Sequence, residues 1–417
     1  MENVFLTPEN VKVSFTNTPQ ITFEITDACN LECVYCNYGN FYYVHDPRTN
    51  KNMPTAYAYR LIDYLYSLWH SEYNSSYNKN VYMSFYGGEP LLNFKFITQI
   101  VEYIEKLDNP NRIFTYSMTT NGVLLNKYMD YLVEKNFSLL ISLDGDKDNS
   151  AYRIDKSRRP AFERVVANID ELQKKYPIFF KNNVNFNAVL HNKNTVESIH
   201  SFFMDKYQKI AAITELNNVG IRPEKKEDFW RMYRSTFQSL VQSSNYSQIE
   251  KERFVSSPTY NSAALFLLKY SDFVYNDYND LLFGKTCGGK TCPTGTCIPF
   301  SRRIFLTVNG KVMPCEKIGQ HFFLGKITEQ DVSINFQRIA DLYNSFYAKL
   351  ATQCASCYNT KACIQCMFNL SSIESEKVIC HGFMNKQDFE VYKKSQMDFF
   401  KKNPEAYEKI MKEVIYQ

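Results

Sequence analysis

Residues 21–36 read ITFEITDACNLECVYC, a β-type run that leads directly into three cysteines. The run from Ile21 to Ile25 predicts a first strand, and comparable runs alternate with helical patterns as far as about residue 220. The runs predict strands at 81–86, 113–118, 139–143, 184–190 and 213–219, and the helical patterns predict helices at 56–72, 94–107 and 160–174. Alternation at this spacing predicts a parallel sheet with right-handed crossovers. Because about six units are present, we predict an α/β fold built on a partial (β/α)6 barrel of the TIM type.

Three cysteines, Cys29, Cys33 and Cys36, follow the first predicted strand on one tight loop. A structural zinc site closes its shell with four ligands. Three thiolates instead suit a cubane [4Fe–4S] cluster that leaves one iron open to a substrate or cofactor. The spacing therefore favours such a cluster over an incomplete zinc site or three unrelated thiols.

The composition indicates a metal-binding protein of the cytoplasm. The chain of 417 residues has twelve cysteines, three in the first loop and nine from Cys287 to Cys380, whereas a disulfide framework is typical of short secreted chains. The net charge of +4 is too small to predict nucleic acid or a membrane surface as the main partner. No apolar run approaches about 18 residues, and the start lacks the order of a secretory signal. We predict a cytoplasmic protein with no membrane partner.

The first cysteine loop resembles the signature of the radical S-adenosylmethionine (SAM) family, a CxxxCxxC loop with an aromatic residue, here Tyr35, before the last cysteine. Further motifs similar to that family are Gly87-Gly88-Glu89-Pro90, Met118-Thr119-Thr120-Asn121-Gly122, Ser142-Leu143-Asp144-Gly145 and the arginine at 153. Each motif alone is a sequence that commonly forms turns. Their order at the carboxyl ends of successive predicted strands is informative, because parallel α/β folds bind ligands at that end.

The resemblance implies a SAM-binding site and an enzyme. Cys29, Cys33 and Cys36 would hold three irons, and SAM would chelate the fourth. Gly87 and Gly88 would let the backbone approach the ligand, and Glu89 would take its ammonium group. Ser142 and Arg153 would bind its ribose and carboxylate end, with Tyr35 beside the loop and Leu190 near the adenine. One electron would cleave SAM to a 5′-deoxyadenosyl radical, which abstracts hydrogen from a substrate.

The second cysteine group resembles the SPASM extension of peptide-modifying radical SAM enzymes, an irregular iron–sulfur domain with two auxiliary [4Fe–4S] clusters. By position, Cys354, Cys357, Cys363 and Cys380 would bind the outer cluster, and Cys292, Cys297, Cys315 and Cys366 the inner one. Cys287 is the spare thiol, although it remains open whether Cys287 or Cys292 is the ligand. The chain has two residues between Cys363 and Cys366 where the family has three. A four-cysteine zinc site made of Cys354, Cys357, Cys363 and Cys366 is the alternative.

Glu316 is the candidate catalytic residue. It follows Cys315 where sulfatase-maturing members of the group have an aspartate as the proposed base, and a glutamate can also accept a proton. A solvated carboxylate on a loop is the alternative interpretation.

The resemblance implies a radical SAM peptide maturase that forms a thioether or carbon–carbon cross-link in a ribosomally made peptide. One alternative is an anaerobic sulfatase-maturating enzyme, which Glu316 disfavours. Another is a zinc- or iron–sulfur-binding protein without activity, against which the intact cysteine loop argues. The expected partners are a peptide or protein substrate and an electron donor of the flavodoxin or ferredoxin type. Because only 28 residues precede Cys29, a separate leader-binding protein or the bridge near 222–280 would recognise the leader of the precursor.

The predicted domain order follows from these motifs. We predict a radical SAM partial barrel at 1–220, a helical bridge at 221–280, a SPASM domain at 281–386 and a lysine-rich amphipathic helix at 387–417.

Overall fold

The structure is a computed structural model that describes residues 5–254, 257–270, 292–370 and 372–415. Six parallel strands form its centre: β1 (Gln20–Thr26), β2 (Asn80–Gly87), β3 (Ile113–Thr120), β4 (Ser138–Ser142), β5 (Val184–Leu190) and β6 (Ala212–Glu215). Each strand pairs in parallel with the next one along the chain. Strand β6 ends the sheet, which therefore does not close. The predicted α/β fold with an open barrel is confirmed, although the sixth strand is shorter than predicted.

Helix α1 (Pro8–Thr16) precedes β1. The helices that connect the six strands are α2 (Thr55–Trp69), α3 (Phe94–Glu105), α4 (Leu125–Glu134), α5 (Phe162–Lys175), α6 (Pro177–Asn183) and α7 (Val196–Tyr207). Helices α2, α3 and α5 correspond to the three predicted helices. Helix α4 lies outside the predicted set, although Leu125, Met129 and Leu132 share its buried face at helical spacing.

Side chains of each parallel strand alternate between the helix layer and the barrel interior. In β5, Phe186 and Leu190 are buried on the outward face. The Phe186 ring lies 4.7 Å from that of Phe203 and 5.1 Å from that of Tyr207, both in α7. Asn187 points the other way and lines the interior. Because successive side chains of a strand face opposite sides, the apolar core lies between sheet and helices, and polar residues occupy the interior.

Four short strands extend the sheet beyond β1. They are β7 (Ile304–Leu306), β8 (Lys311–Met313), β9 (Gly325–Ile327) and β10 (Val332–Ile334). Strand β7 pairs in parallel with β1. Strands β8, β9 and β10 then follow in order, and each pairs antiparallel with the strand before it. Strand β7 lies within the β-type run RIFLTV at residues 303–308, and the segment that leads to Cys315 continues the sheet of the barrel.

The described residues divide into two compact units. The barrel unit comprises Glu9–Ile249 and Ile298–Phe336, and the cysteine-rich unit comprises the described parts of Met1–Pro8, Glu250–Cys297 and Gln337–Gln417. The predicted domain boundaries stay a prediction.

The remaining described helices are α8 (Lys226–Met232), α9 (Thr236–Val241), α10 (Tyr246–Glu252), α11 (Pro258–Tyr270), α12 (Phe336–Ser356), α13 (Lys386–Lys402) and α14 (Pro404–Ile410), followed by a π-helical turn (Met411–Ile415). Where one C-terminal helix was predicted, the chain breaks at Asn403, because Pro404 has no N–H to continue the helical bonds. None of the described helices is long and apolar enough to cross a membrane. Location in the cytoplasm stays a prediction.

Candidate active site

The carboxyl ends of the parallel strands surround a cavity of about 240 Å³, the strand-end cavity. The three thiols of the loop after β1 (residues 29–39, the cysteine loop) line it. The other predicted site residues that line it are Tyr35, Gly87, Gly88, Ser142 and Arg153. Among the described residues, Glu89 and Leu190 do not line this cavity. Folding therefore brings most of the predicted site residues of the barrel together, while their roles stay predictions.

Backbone hydrogen bonds shape the cysteine loop. The Cys36 amide donates to the Cys33 carbonyl at 3.1 Å, and the Gly39 amide donates to the Cys36 carbonyl at 2.7 Å. The Glu32 amide donates to the carbonyl of Ile154 at 2.7 Å, which joins the loop to the segment after β4. These bonds fix the backbone of the loop that carries the three thiols, together with a β-bridge between Leu31 and Asp155.

The two glycines after β2 are required by close backbone packing. Gly87 has φ of +137°, and a Cβ there would lie 2.2 Å from the Thr26 carbonyl oxygen. A Cβ on Gly88 would lie 2.1 Å from the Ala28 carbonyl oxygen. A side chain at either position would push away the end of β1 and the residues that lead into the cysteine loop. The observed reason for glycine is thus contact with this backbone, whereas the predicted close approach to a ligand stays a prediction.

Glu89 is completely buried behind the strand-end cavity. Its carboxylate accepts hydrogen bonds from the Thr120 hydroxyl at 2.7 Å, the Asn121 amide at 2.7 Å and the Leu91 amide at 3.1 Å. Burial raises the pKa of Glu89 to about 7, although these bonds oppose the shift. Glu89 therefore ties the end of β2 to the end of β3. Its predicted contact with an ammonium group stays a prediction.

Asp144 is the centre of a buried polar network that the sequence motifs did not assign. Its carboxylate accepts a hydrogen bond from the Tyr35 hydroxyl and another from the Val189 amide at 3.0 Å. It also lies 3.2 Å from the Arg153 guanidinium and 3.6 Å from the His191 ring. Burial alone would raise the pKa of Asp144, but Arg153, His191 and Tyr35 outweigh burial and lower it. The network links Tyr35 of the cysteine loop to the ends of β4 and β5. Its position two residues after the end of β4 was the available signal.

Leu190 is fully buried and belongs to the outward face of β5. Val189, its neighbour, lines the strand-end cavity instead. Because side chains alternate along a strand, Leu190 faces the helix layer together with Phe186. Its predicted contact with adenine stays a prediction, and this placement does not favour it.

Two donors point at the thiols of the cysteine loop. The Arg48 guanidinium donates to the Cys36 sulfur at 3.5 Å, and the Asn121 amide donates to the Cys29 sulfur at 3.7 Å. Burial raises the pKa of Cys29 to about 11, so that its thiolate requires a nearby positive charge such as iron. Hydrogen bonds to sulfur are one way in which proteins tune iron–sulfur clusters. The residues present therefore fit a cluster held by the three thiols. Arg48 belongs to no recognisable motif.

Glu316 follows β8 and forms an ion pair. Its Oε2 atom lies 2.8 Å from Arg303 Nη1 and 3.6 Å from the Cys315 sulfur. Glu316 and Arg303 line a second cavity of about 590 Å³, the interior cavity, within the open barrel. The residues that line both cavities are Tyr86, Thr119 and Asn187. Glu316 therefore faces a space that adjoins the strand-end cavity. Its predicted catalytic role stays a prediction.

The four cysteines predicted for the outer cluster lie together in the cysteine-rich unit. Cys354, Cys357, Cys363 and Cys380 line one cavity of about 370 Å³, and Cys292 also lines it. Burial raises the pKa of Cys354, and the neighbouring thiols Cys363, Cys380 and Cys357 add to the effect. The four side chains therefore lie close together. Cys354 is on the last turn of α12, and Cys357 is the residue just after that helix.

The other thiols of the cysteine-rich unit lie near Tyr347. Burial raises the pKa of its hydroxyl, and Cys292, Cys366 and Cys297 add to the shift. Cys366 therefore lies with the predicted inner set, which disfavours the alternative zinc site. Within the described ranges, no three His, Cys, Asp or Glu side chains are arranged to hold a single metal ion. Cys315 belongs to the barrel unit, and Cys287 lies outside the described residues.

Comparisons with known proteins agree with this arrangement. Residues 23–205 match the family model described as the radical SAM superfamily. The chain is 25% identical over 411 residues to the cysteine-type anaerobic sulfatase-maturating enzyme of Clostridium novyi (strain NT), covering 93% of this chain and 96% of that protein. It is 23% identical over 216 residues to the radical SAM cyclopropyl synthase TigE of Paramaledivibacter caminithermalis, covering 51% of this chain and 42% of that protein.

Among solved structures, native anSMEcpe with bound AdoMet and Cp18Cys peptide superimposes with a TM-score of 0.57 at 20% identity. The match covers 94% of this chain and 99% of that chain, and it shows a shared fold.

An open parallel barrel with three thiols at its strand ends is the architecture of an enzyme that binds SAM at a [4Fe–4S] cluster. Residues 23–205 therefore form a radical SAM domain, and the chain is similar over nearly its whole length to a sulfatase-maturating enzyme. Its cysteine-rich C-terminal part fits a SPASM-type extension.

Proposed function

We propose that the protein is a peptide maturase that abstracts a hydrogen atom from a ribosomally made peptide, with a thioether or carbon–carbon cross-link as the product. The observation that carries the proposal is the adjoining pair of cavities. The strand-end cavity contains the three thiols of the cysteine loop, and the interior cavity of about 590 Å³ offers room for a peptide segment. Glu316 at the edge of the interior cavity is the proposed proton acceptor.

In this proposal the chain binds and orients, and the cofactors carry the difficult chemistry. When bound, the cluster and SAM supply a one-electron cleavage that yields a carbon radical. Cys29, Cys33 and Cys36 hold the cluster, with Arg48 and Asn121 donating to its thiolates. Ser142 and Arg153, which line the same strand-end cavity, are proposed to hold SAM.

The two thiol groups of the second cysteine region are proposed to hold two auxiliary clusters. Cys354, Cys357, Cys363 and Cys380 are the proposed outer ligands, and Cys292, Cys297, Cys315 and Cys366 the proposed inner ones. Part of the support is the grouping of the outer thiols in one cavity. An electron donor of the flavodoxin or ferredoxin type and a leader-binding protein complete the proposal.

Iron content and SAM cleavage test the cofactors separately. Anaerobically reconstituted protein should contain about twelve irons, enough for three [4Fe–4S] clusters. Cys33→Ala should lose about four irons and all formation of deoxyadenosine. Cys354→Ala, the matched control, should also lose about four irons but keep the change in the electron paramagnetic resonance signal on adding SAM. Deoxyadenosine at wild-type yield from Cys33→Ala would refute the mechanism.

A second candidate function is formylglycine formation in a sulfatase. The similarity to the Clostridium novyi enzyme, which covers 96% of that protein, favours it. Mass spectrometry separates the two activities. A sulfatase-derived peptide that gains a hydrazine-reactive aldehyde at its cysteine or serine supports maturation of sulfatases. A precursor peptide that loses two hydrogens without becoming reactive to hydrazine supports cross-linking.

A further inference from the structure

Four neighbouring strands carry a row of hydroxyl groups on their inward face. Strand register places Thr22 beside Ser84, Ser84 beside Ser117, and Ser117 beside Ser138. All four line the interior cavity, and we call them the hydroxyl row. Because neighbouring strands lie about 4.8 Å apart, the row spans about 14 Å.

Small hydroxyl side chains are an uncommon filling for a barrel. The interior of closed (β/α)8 barrels is packed with bulky branched side chains. Here the hydroxyl row leaves a cavity of about 590 Å³, and Gln20 and Asn185 add further neutral polar groups to its wall. The charged residues that line the same cavity are Arg303, Glu316 and Lys317. The hydroxyl row itself thus offers a neutral surface that can both donate and accept hydrogen bonds.

The hydrogen bonds within this wall are incomplete. Gln20 donates to the Ser84 hydroxyl at 2.8 Å, and the Ser84 and Ser117 oxygens lie 2.6 Å apart. Thr22 is only 4% exposed, and its hydroxyl has no hydrogen-bond partner in the part of the chain that the structure describes. A buried hydroxyl without a partner is unfavourable. A ligand with hydrogen-bonding groups would satisfy it.

We infer that the hydroxyl row binds backbone amide groups of the peptide substrate. A hydroxyl both donates and accepts, which suits the alternating N–H and C=O groups of an extended peptide. At about 3.3 Å per residue, a row of about 14 Å matches about four peptide residues. This inference rests on the proposed function, because it assigns a substrate subsite to the same enzyme.

The position of the hydroxyl row relative to the thiols supports this assignment. Tyr86 and Thr119 lie two residues beyond Ser84 and Ser117 on the same strand faces, and both line the two cavities. A peptide held at the row is therefore adjacent to the strand-end cavity. Recognition through backbone groups would also tolerate changes in the side chains of the peptide next to the reacting residue.

The test uses the anaerobically reconstituted holoenzyme and acetyl-tetraalanine amide as the probe, with binding followed by ligand-detected nuclear magnetic resonance. We expect the Thr22→Val, Ser84→Ala, Ser117→Ala triple variant to bind the probe at least tenfold more weakly than wild type. The analogue with ester bonds in place of the amides should also bind more weakly, because it lacks N–H donors. Thr98→Val, the same change on the exposed part of α3, should leave the affinity unchanged.

Thr22→Val alone provides a second variant should the triple variant not fold, because valine has nearly the shape of threonine. It should weaken probe binding severalfold without lowering the melting temperature. Equal affinity of wild type and these variants, or no binding to wild type at millimolar probe, would overturn the inference. Failure of the proposed function has a different signature, since no precursor peptide would then lose two hydrogens in the mass spectrum, whether or not the probe binds.

Discussion

The two faces of the parallel strands differ in chemistry although they belong to the same backbone. In β1, Ile21, Phe23 and Ile25 are fully buried on the outward face, whereas Gln20 and Thr22 line the interior cavity. Burial of apolar surface is the dominant stabilising contribution to folding, and the helices cover only the outward face. We therefore expect the outward residues to determine stability and the inward residues to determine binding.

The largest expected effect is a loss of stability from the outward face. Phe186→Ala should lower the free energy of unfolding by about 4 kcal/mol, because it removes a ring packed against α7 and leaves a cavity. Asn185→Ala, on the exposed inward side of the same strand, should cost less than about 1 kcal/mol. Urea unfolding measures both. Equal costs would mean that the two faces do not divide stability and binding in this way.

The Asp144 network is the expected exception at the strand ends. Asp144→Asn should cost about 3 kcal/mol, because it leaves the Arg153 guanidinium buried without its carboxylate. The double variant Asp144→Asn, Arg153→Met should be more stable than Asp144→Asn alone, since no buried charge remains. Unfolding of the single and double variants in parallel tests the pair. A double variant that is less stable than Asp144→Asn would contradict this interpretation.

Glu24 is an inward carboxylate whose effect on stability should depend on pH. Burial raises its pKa from 4.5 to about 7, against the bond from the Val308 amide. Between these two pH values the folded protein keeps a proton that the unfolded chain has released. The contribution of Glu24 to the free energy of unfolding is therefore fully present below pH 4.5 and is lost as the pH rises to 7.

Glu24→Gln removes this titration and keeps a neutral side chain. From pH 5.5 to 7 the wild type should lose about 1.5 kcal/mol relative to the variant, since one pH unit corresponds to about 1.4 kcal/mol and about half of the folded molecules have released the proton at pH 7. Unfolding of both proteins at the two pH values gives the difference. A difference that does not change with pH would show that Glu24 is ionised throughout.

The smallest effect on stability is expected from the hydroxyl row. Ser117→Ala should change the free energy of unfolding by less than about 1 kcal/mol, because the Ser117 hydroxyl loses only a hydrogen bond with the Ser84 hydroxyl, which keeps its bond from Gln20. Urea unfolding of Ser117→Ala and Phe186→Ala under the same conditions compares the contributions of the inward and outward faces to stability most directly. A loss as large as that of Phe186→Ala would assign the row to the core instead.

Much of the barrel follows from local pattern. Strand β5 has the predicted bounds, and the thiols, Gly87, Gly88, Ser142 and Arg153 meet in one cavity as expected from motifs at strand ends. The alternation of β5 also contained the information that Val189, and not Leu190, faces inward. Asp144 had a similar local signal, since it lies two residues after the end of β4. Arg48 had none, because its contact with Cys36 depends on the path of an irregular loop.

Periodicity of two or 3.6 residues acts over a few neighbours, so the sequence alone was enough to predict the alternation of strands and helices and the position of the cysteine loop after the first strand. Contacts between distant segments required the folded chain. Tyr35 and Asp144 are 109 positions apart, and the hydroxyl row joins four separate strands. Such contacts depend on register and packing between elements, which set where each side chain meets its partner.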